Sequence, residues 1–465
     1  MASVALAPTE LGTEKIGKLL KMYAVPGIIA QTAASLYNMV DSIYIGHIPG
    51  VGSAAISGLA VTFPLMNLAT AMGTLVGVGA TTLISVLLGQ KNYDTARKVL
   101  SNVLSLNLII GALFSGVTLA FLDPILRFFG ASDVTLPFAM DYMLIILIGN
   151  VFTHLYFGFN GLIRASGHPK TAMGLTLFTV ISNAVLDPVF IFVFEMGIRG
   201  AALATVICQM AALVYTMKFF LDKKNLLHFP KPMFQIDWRI AGQSLAIGLG
   251  PFLMNSAACL VALFINQQLG KYGGDLAIGA YGIVNRLTML FIMICMGFNQ
   301  GLQPIAGYNY GARQYHRVKE VFVLTAKWEI LVTSLCFLMA ELIPGLAVSL
   351  FTNDPEMIRM ASRALRIMCA GTALVGFGIT TSTFFQCLGM VSKSIFLSLS
   401  RQLIFLLPLI YSLPMWFQEK GVWMSFPIAD TLSVVVSLVF VLRLFKKFDK
   451  LKDGQDAGAL GSAIK

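Results

Sequence analysis

Residues 52–89 read GSAAISGLAVTFPLMNLATAMGTLVGVGATTLISVLLG, a run of 38 residues without a charged side chain. About 20 consecutive apolar residues suffice to span a bilayer. Similar runs recur on both sides of this one, in a chain of 465 residues that is 57% hydrophobic and 12% charged, with a mean hydropathy of +0.79. Ordinary globular proteins carry about 25% charged residues. The sequence therefore predicts an all-α polytopic membrane protein and excludes a soluble enzyme, a disordered scaffold and a secreted disulfide module.

Hydropathy predicts twelve membrane spans joined by short loops. Each span needs about 20 apolar residues, and the length of the chain leaves no room for a large domain outside the membrane. The spans are expected near residues 22–46, 54–87, 99–122, 136–162, 171–194, 200–221, 244–269, 276–307, 318–343, 357–388, 394–416 and 422–445.

The longest polar connection, DKKNLLHFPKPMFQIDW at residues 222–238, lies at the middle of the chain and contains two prolines. It predicts a linker between two bundles of six helices each. The expected domains are an N-terminal lobe at 1–221, a cytoplasmic linker at 222–240, a C-terminal lobe at 241–447 and a cytoplasmic tail at 448–465.

The two lobes look like repeats of one another. Residues 52–100 align with 274–322 at a constant offset of 222, so that Gly79 meets Gly301. Six helices are an even number, which gives both lobes the same orientation in the membrane. We therefore expect a pseudo-two-fold axis along the membrane normal, with the substrate site in the cleft between the lobes and alternating access by rocking.

The positive charges fall mainly on one side of the predicted topology. The termini and the even-numbered connections hold 23 Lys and Arg residues, and the odd-numbered connections hold 5. Cytoplasmic loops carry the excess of Lys and Arg, so both termini are expected in the cytoplasm of a multi-pass inner-membrane protein. The same rule explains the net charge of +11 without a nucleic-acid partner.

Two carboxylates lie deep within predicted spans. A charge at mid-bilayer costs at least about 2.5–3.5 kcal/mol and by default indicates function. Asp41 follows Tyr37 by four residues and Asn38 by three, so the three residues are expected on one face of span 1. An acid hydrated near the outer end of span 1 is the alternative for Asp41.

Asp187 lies in span 5, one turn after Asn183 on the same face and directly before Pro188. Proline removes a backbone donor and leaves a carbonyl free at that level. Two carboxylates, an amide and a loosened backbone predict a cluster that coordinates a hard cation or carries a proton. The alternative for Asp187 is a hydrogen bond that only packs helices together.

Further polar residues in the spans are as compatible with packing as with function. They are Arg286, Asn299 and Gln303 in span 8, Arg401 in span 11 and Asp430 in span 12. Glu329, two residues after Lys327, is expected near the cytoplasmic edge as an end-of-helix charge. The chain contains no H-E-x-x-H pattern and no phosphate-binding loop, so neither an enzyme nor an ATP-driven pump is expected.

Four short strings carry a family resemblance: YNMVDSIYIG at 37–46, N-x-x-x-D-P in span 5, GIRGAALATVI at 197–207 and FNQGLQPIAGYNYGAR at 298–313. With them the sequence resembles the MATE (multidrug and toxic compound extrusion) family from about residue 15 to 447, in the branch of DinF-like and MepA-like exporters. The resemblance implies two six-helix bundles in a V around a central cavity. It also implies export of organic cations and amphipathic drugs against inward H⁺ or Na⁺, without a cofactor.

The resemblance also assigns roles to residues. It places the ion-coupling site, which would be the Na⁺ ligands in a Na⁺-coupled transporter, at Asp41, Asn183, Asp187 and Thr205. Pro26 matches the proline at which span 1 bends. The other branch of the family has coupling carboxylates in spans 7 and 10, and this sequence lacks them. Together with the polar residues above, the candidate substrate-binding residues are Tyr37, Asn38, Tyr142, Arg286, Asn299, Gln303 and Asp430.

The ion site is expected wholly in the N-terminal lobe. At an offset of 222, Asp187 falls on Leu409 and Asn183 on Phe405, so the second repeat lacks the acid. Asp430 is the remaining acidic candidate there, either completing a drug site or pairing with Arg401 or Arg286.

We expect a monomer surrounded by membrane lipids. Two alternatives remain. A lipid-linked precursor flippase of the same superfold would need a large basic groove, for which Arg286 and Arg401 are the available residues. A membrane-embedded enzyme would need a His or Cys cluster, which the sequence does not show.

The charge split makes a topological prediction. A membrane-impermeant thiol reagent added outside intact cells should label a cysteine placed at Lys271 and should not label one placed at Lys224. Wild-type protein with its six native cysteines is the background control. The reverse labelling pattern would refute the predicted orientation.

Overall fold

Twelve long helices make up most of the molecule. The computed structural model describes residues 9–451 and 453–455, apart from the side chains of Met39, Ser53 and Asp275. The long helices in these residues are Ile16–Gly46 (α1), Gly52–Gly89 (α2), Tyr93–Ala120 (α3), Leu136–Ala165 (α4), Pro169–Pro188 (α5), Ile198–Leu221 (α6), Trp238–Gly274 (α7), Leu276–Gly311 (α8), Tyr315–Leu342 (α9), Pro355–Cys369 with Thr372–Cys387 (α10), Val391–Phe417 (α11) and Glu419–Lys450 (α12).

Ten of these helices are individually long and apolar enough to cross a membrane. The two segments of α10 meet at a bend of 47° and together form one more span. At about 1.5 Å per residue, the 31 residues of α1 also exceed the bilayer core of about 30 Å. Eleven of the expected twelve spans are therefore confirmed by length and composition, and α1 is long enough to be the twelfth.

Several helices extend beyond the spans expected from hydropathy. The first begins at Ile16 instead of residue 22, and the seventh begins at Trp238 instead of residue 244. Only Gly274, with φ 65° and ψ −167°, breaks the helical path between α7 and α8. Hydropathy detects the apolar part of a helix, whereas backbone hydrogen bonding continues into the polar interface, which explains the difference.

Two helices contain a widened π turn. The π turn Val189–Val193 continues α5 beyond Pro188, so that this span runs over Pro169–Val193, and the π turn of α11 is Ser400–Leu406. Such turns often lie at functional sites. Each of them lies beside a polar group described below.

The described chain divides into two compact units. Unit 1 contains Ile29–Phe252, and unit 2 contains Glu14–Ile28 together with residues 253–451. The boundaries fall inside helices: the first half of α1 packs in unit 2, and the first half of α7 packs in unit 1. The lobe boundaries expected at residues 221 and 241 stay a prediction.

Glycines allow these half-helices to approach their neighbours closely. In unit 1, a Cβ on Gly79 of α2 would overlap the carbonyl of Ser244 on α7. In unit 2, a Cβ on Gly301 of α8 would lie 2.7 Å from the nitrogen of Ala24 on α1. Gly79 and Gly301 are the positions that the sequence repeat aligns, so both units use the same backbone contact.

Many large apolar side chains point away from the protein. Phe63, Leu113 and Val193 are each exposed by more than 60% of their surface, whereas Met143 and Leu365 are fully buried in the cores of unit 1 and unit 2. Exposed apolar surface on this scale requires lipid as the surrounding solvent. The backbone tolerates lipid because each helix satisfies its own N–H and C=O groups by internal hydrogen bonds.

The helix contact at Gly79 is testable. Gly79→Ala places a methyl group against backbone that cannot move aside, and overpacking of this kind costs about 1–3 kcal/mol. We expect a lower thermal unfolding temperature in detergent than for wild type. Gly116→Ala on α3 is the control, because nothing lies within 4 Å of its added methyl group. Equal unfolding temperatures for Gly79→Ala and wild type would contradict the contact.

Candidate functional site: a buried carboxyl cluster in unit 1

The local structure of α5 brings its polar residues into the interior of unit 1. Pro188 has no N–H to donate, and the π turn that follows it widens the helix. Gly200 of α6 packs against this turn, with its missing Cβ only 2.7 Å from the carbonyl carbon of Phe190. Asp187 is fully buried and Asn183 nearly so. The close approach places the start of α6 beside the polar face of α5.

Hydrogen bonds join α1, α5 and α6 at this point. The Tyr37 hydroxyl donates to Asp187 Oδ2 at 2.6 Å, and Asn183 Nδ2 donates to Asp187 Oδ1 at 3.0 Å. The same amide nitrogen also donates to the Tyr37 hydroxyl, and to Thr205 Oγ1 at 3.4 Å. An amide has two hydrogens for these three acceptors, so the long contact to Thr205 is the weakest of them.

Asp41 completes the cluster as a second carboxyl. Its side chain is 8% exposed, and its carboxyl group lies close enough to the Asp187 carboxyl for the two groups to interact electrostatically. Asp41 Oδ1 has no partner among the described residues. Two buried carboxylates this close repel each other and lack hydration, so the pair needs a shared proton or a bound cation. Tyr142 of α4, 4% exposed, lies close enough to interact with both acids.

Asn38 and Pro26 lie outside this cluster. Asn38 is exposed, and its carbonyl oxygen accepts a hydrogen bond from Ser42. A helix turns by about 100° per residue, so Asn38 diverges from the face that Tyr37 and Asp41 share. Pro26 is buried within the part of α1 that belongs to unit 2. The proposed roles of both residues stay predictions.

The polar candidates of the second repeat lie in unit 2 and form a different arrangement. Asp430 of α12 is 4% exposed and accepts a hydrogen bond from Arg401 Nε at 2.6 Å, in the π turn of α11. Of the two arginines considered as partners of Asp430, the structure thus pairs it with Arg401. Arg286 is exposed, and Asn299 and Gln303 are buried. Unit 2 thus holds an ion pair beside its π turn, whereas unit 1 holds two acids.

The interpretation of Glu329 as an end-of-helix charge is wrong. It lies 14 residues into α9, about 21 Å from the first residue of that helix at 1.5 Å per residue, and its side chain is fully buried. Lys327 is exposed and lies about 200° around the helix from Glu329, so its ammonium group points away from the Glu329 carboxyl group. The spacing of two residues was the signal in the sequence, because it places Glu329 and Lys327 on different faces of the helix.

The chain is similar to known transporters over most of its length. The model of the MatE family matches residues 26–189 and 251–412. Multidrug export protein MepA of Staphylococcus aureus (strain MSSA476) is 28% identical over 427 residues, which are 92% of this chain and 94% of that protein. The MATE multidrug transporter DinF-BH, solved in complex with a ligand, is 35% identical with a TM-score of 0.86, covering 95% of this chain and 98% of that one. A MATE structure in the bent conformation, 23% identical, has a TM-score of 0.89 over 96% and 99% of the two chains.

The ion pair in unit 2 leads to a prediction about Asp430. The Arg401 guanidinium already occupies the Asp430 carboxylate and takes the place that an exchangeable ion would need, so Asp430→Asn should change drug range or affinity and leave ion coupling intact. Arg401→Lys keeps the charge as the matched control. Ion release triggered by drug addition to purified protein is the measurement. Loss of that release in Asp430→Asn together with its survival in Asp41→Asn would contradict a coupling site in unit 1.

Proposed function

The chain belongs to the MatE family, and from that premise we propose that it is a secondary active multidrug efflux antiporter. It exports organic cations and amphipathic drugs in exchange for inward H⁺ or Na⁺. The relatives support this choice, since MepA is named a multidrug export protein and DinF-BH a multidrug transporter. The family consists of ion-coupled transporters that need no cofactor.

One observation carries the proposal: Asp41 and Asp187 are both buried, and their carboxyl groups are close enough to interact. A drug gradient can be coupled to an ion gradient only if a site changes its ion occupancy during the cycle. The carboxyl pair cannot hold two charges without a ligand, so it binds an ion from the side with the higher ion concentration. Opening to the cytoplasm then releases that ion, and opening outward releases the drug.

The same residues fit either coupling ion. For H⁺, Asp41 and Asp187 share the proton. Tyr37 and Asn183 hold Asp187 in place by donating hydrogen bonds to its carboxyl group. For Na⁺, the ligands are the carboxylate oxygens and Thr205 Oγ1, because hard cations take oxygen ligands. The Asn183 amide, whose nitrogen faces the cluster here, joins them when it rotates to present its oxygen. The choice between the ions is a question for transport measurements.

We further propose that the drug contacts polar residues within the membrane spans. The tyrosines offer aromatic faces to a cation, and the charged residues set its orientation. The proposed contacts are Tyr37, Asn38 and Tyr142 in unit 1, and Arg286, Asn299, Gln303 and Asp430 in unit 2.

The flippase alternative is less favoured. A lipid diphosphate needs a basic groove, and Arg401 is already neutralised by Asp430. The named relatives are drug exporters as well. As the setting for this activity we propose a monomer in the cell inner membrane, surrounded by lipid, with both termini in the cytoplasm.

The coupling site is tested by removing each acid in turn. Asp41→Asn and Asp187→Asn keep the size of the side chain and remove the ability to carry the ion, so each should abolish drug resistance at normal membrane expression. Asp133→Asn is the matched control, because its side chain is 90% exposed and lies outside the cluster. Wild-type resistance in cells that express either cluster variant would contradict the proposal.

A further inference from the structure

A fully buried acid of unit 2 lies on α9, outside the carboxyl cluster and outside the Arg401–Asp430 pair. Glu329 is fully buried, and neither of its carboxyl oxygens has a hydrogen-bond partner among the described residues. It is buried midway along a 28-residue span. An ionised carboxylate without a donor at this depth is strongly disfavoured, whereas a neutral carboxylic acid is tolerated.

The hydroxyls nearest to Glu329 are already engaged elsewhere. Thr333 donates to the Glu329 and Ala373 carbonyl oxygens, each at 2.9 Å. Thr380 lies beside the carboxyl but donates to the Gly376 carbonyl oxygen at 2.9 Å. Close packing also seals the site: a Cβ on Gly376 would lie 2.6 Å from the backbone of Glu329. In this state the hydroxyls of Thr333 and Thr380 therefore donate to backbone carbonyl oxygens instead of the Glu329 carboxyl group.

One turn nearer the cytoplasmic end of α9, two further buried polar side chains lack partners. Thr325 Oγ1 precedes Glu329 by four residues, and both polar atoms of the Asn299 amide on α8 are unpaired among the described residues. Two contacts show that α8 and α9 are adjacent at this depth. Phe298 stacks on Trp328 with ring centroids 6.3 Å apart, and Cys295, one turn from Asn299, is within electrostatic reach of Glu329.

Distances along the two helices agree with this placement. Helices α8 and α9 meet at Gly311 and Tyr315. Asn299 lies 12 residues before that end of α8, and Thr325 lies 10 residues after the start of α9. At about 1.5 Å per residue the two side chains are at nearly equal depth. Asn299 and Thr325 thus lie at a similar depth in unit 2, and Thr325 shares a face of α9 with Glu329, which follows it by four residues.

No charge elsewhere in the described part of unit 2 compensates Glu329. The Cys295 thiol of α8 is the titratable group that interacts with it, and α10 presents the Thr380 hydroxyl. The charged neighbours on other elements lie at the cytoplasmic end, where Lys319 pairs with Asp449 of α12 and Arg317 donates to the Glu14 carbonyl.

We propose that Glu329, with Thr325 and Asn299, forms a second proton-binding site, located in unit 2, that exchanges its proton during transport. In the state described here the carboxyl group is neutral. On release, the proton passes to water, and the unpaired Thr325 hydroxyl and Asn299 amide become donors to the carboxylate that remains. The inference rests on the proposed antiport and adds a proton to it.

The test counts protons released when drug is added to purified full-length protein in weakly buffered detergent with a pH-sensitive dye. A fluorescent organic cation serves as the drug. Glu329→Gln should release about one proton fewer per drug than wild type, whereas Glu329→Asp should retain the wild-type count. Glu320→Gln is the matched control, because Glu320 is exposed on the same helix.

Equal counts in wild type and Glu329→Gln would overturn the second site and leave the proposed antiport standing. No proton release from wild type or from Glu320→Gln would instead contradict proton coupling as a whole. If Glu329→Gln fails to fold, infrared difference spectra compare wild type with Glu329→Asp. A drug-dependent carbonyl band of a protonated carboxyl that moves in Glu329→Asp supports the site, and an unchanged band overturns it.

Discussion

The cost of placing a carboxylate inside a membrane is the constraint on which the rest of this structure depends. Apolar spans can bury Asp41 and Asp187 only if the pair is neutralised by an ion. The hydrogen bonds from Tyr37 and Asn183 hold Asp187 in one position, and the nearness of Asp41 makes the two acids act as one site. A bound ion is therefore needed to compensate the charge of the two acids inside unit 1. This requirement is the physical basis for coupling ion binding to a conformational cycle.

The two units share a backbone plan but differ in chemistry. Both use a glycine of the aligned pair, Gly79 or Gly301, for a close helix contact, and both have a π turn in the fifth helix of the repeat. In unit 1 the region near that turn holds two acids, and in unit 2 it holds the Arg401–Asp430 pair. An ion pair satisfies its own charge and needs no ligand, so the Arg401–Asp430 pair itself is suited to a task other than binding the coupling ion.

Much of this arrangement could be predicted from the sequence. The twelve spans follow from uninterrupted apolar runs, and the grouping of Asn183 with Asp187 follows from a spacing of one helical turn. The sequence narrows the partner of Asp430 to two arginines but does not choose between them. Pairing across helices depends on how each helix is rotated, which one sequence does not reveal. Glu329 was misinterpreted because its nearness in sequence to Lys327 concealed that the two side chains lie on different faces. The division of α1 and α7 between units has no local sequence signal, since it depends on how distant helices pack.

The most direct test of the account is transport by the purified protein in sealed vesicles. A fluorescent organic cation is supplied, and an imposed pH gradient is followed by an imposed Na⁺ gradient in separate experiments. The account predicts that at least one of the two gradients drives movement of the cation and that dissipating that gradient stops it. Cation movement of equal rate with both gradients absent would contradict ion-coupled antiport.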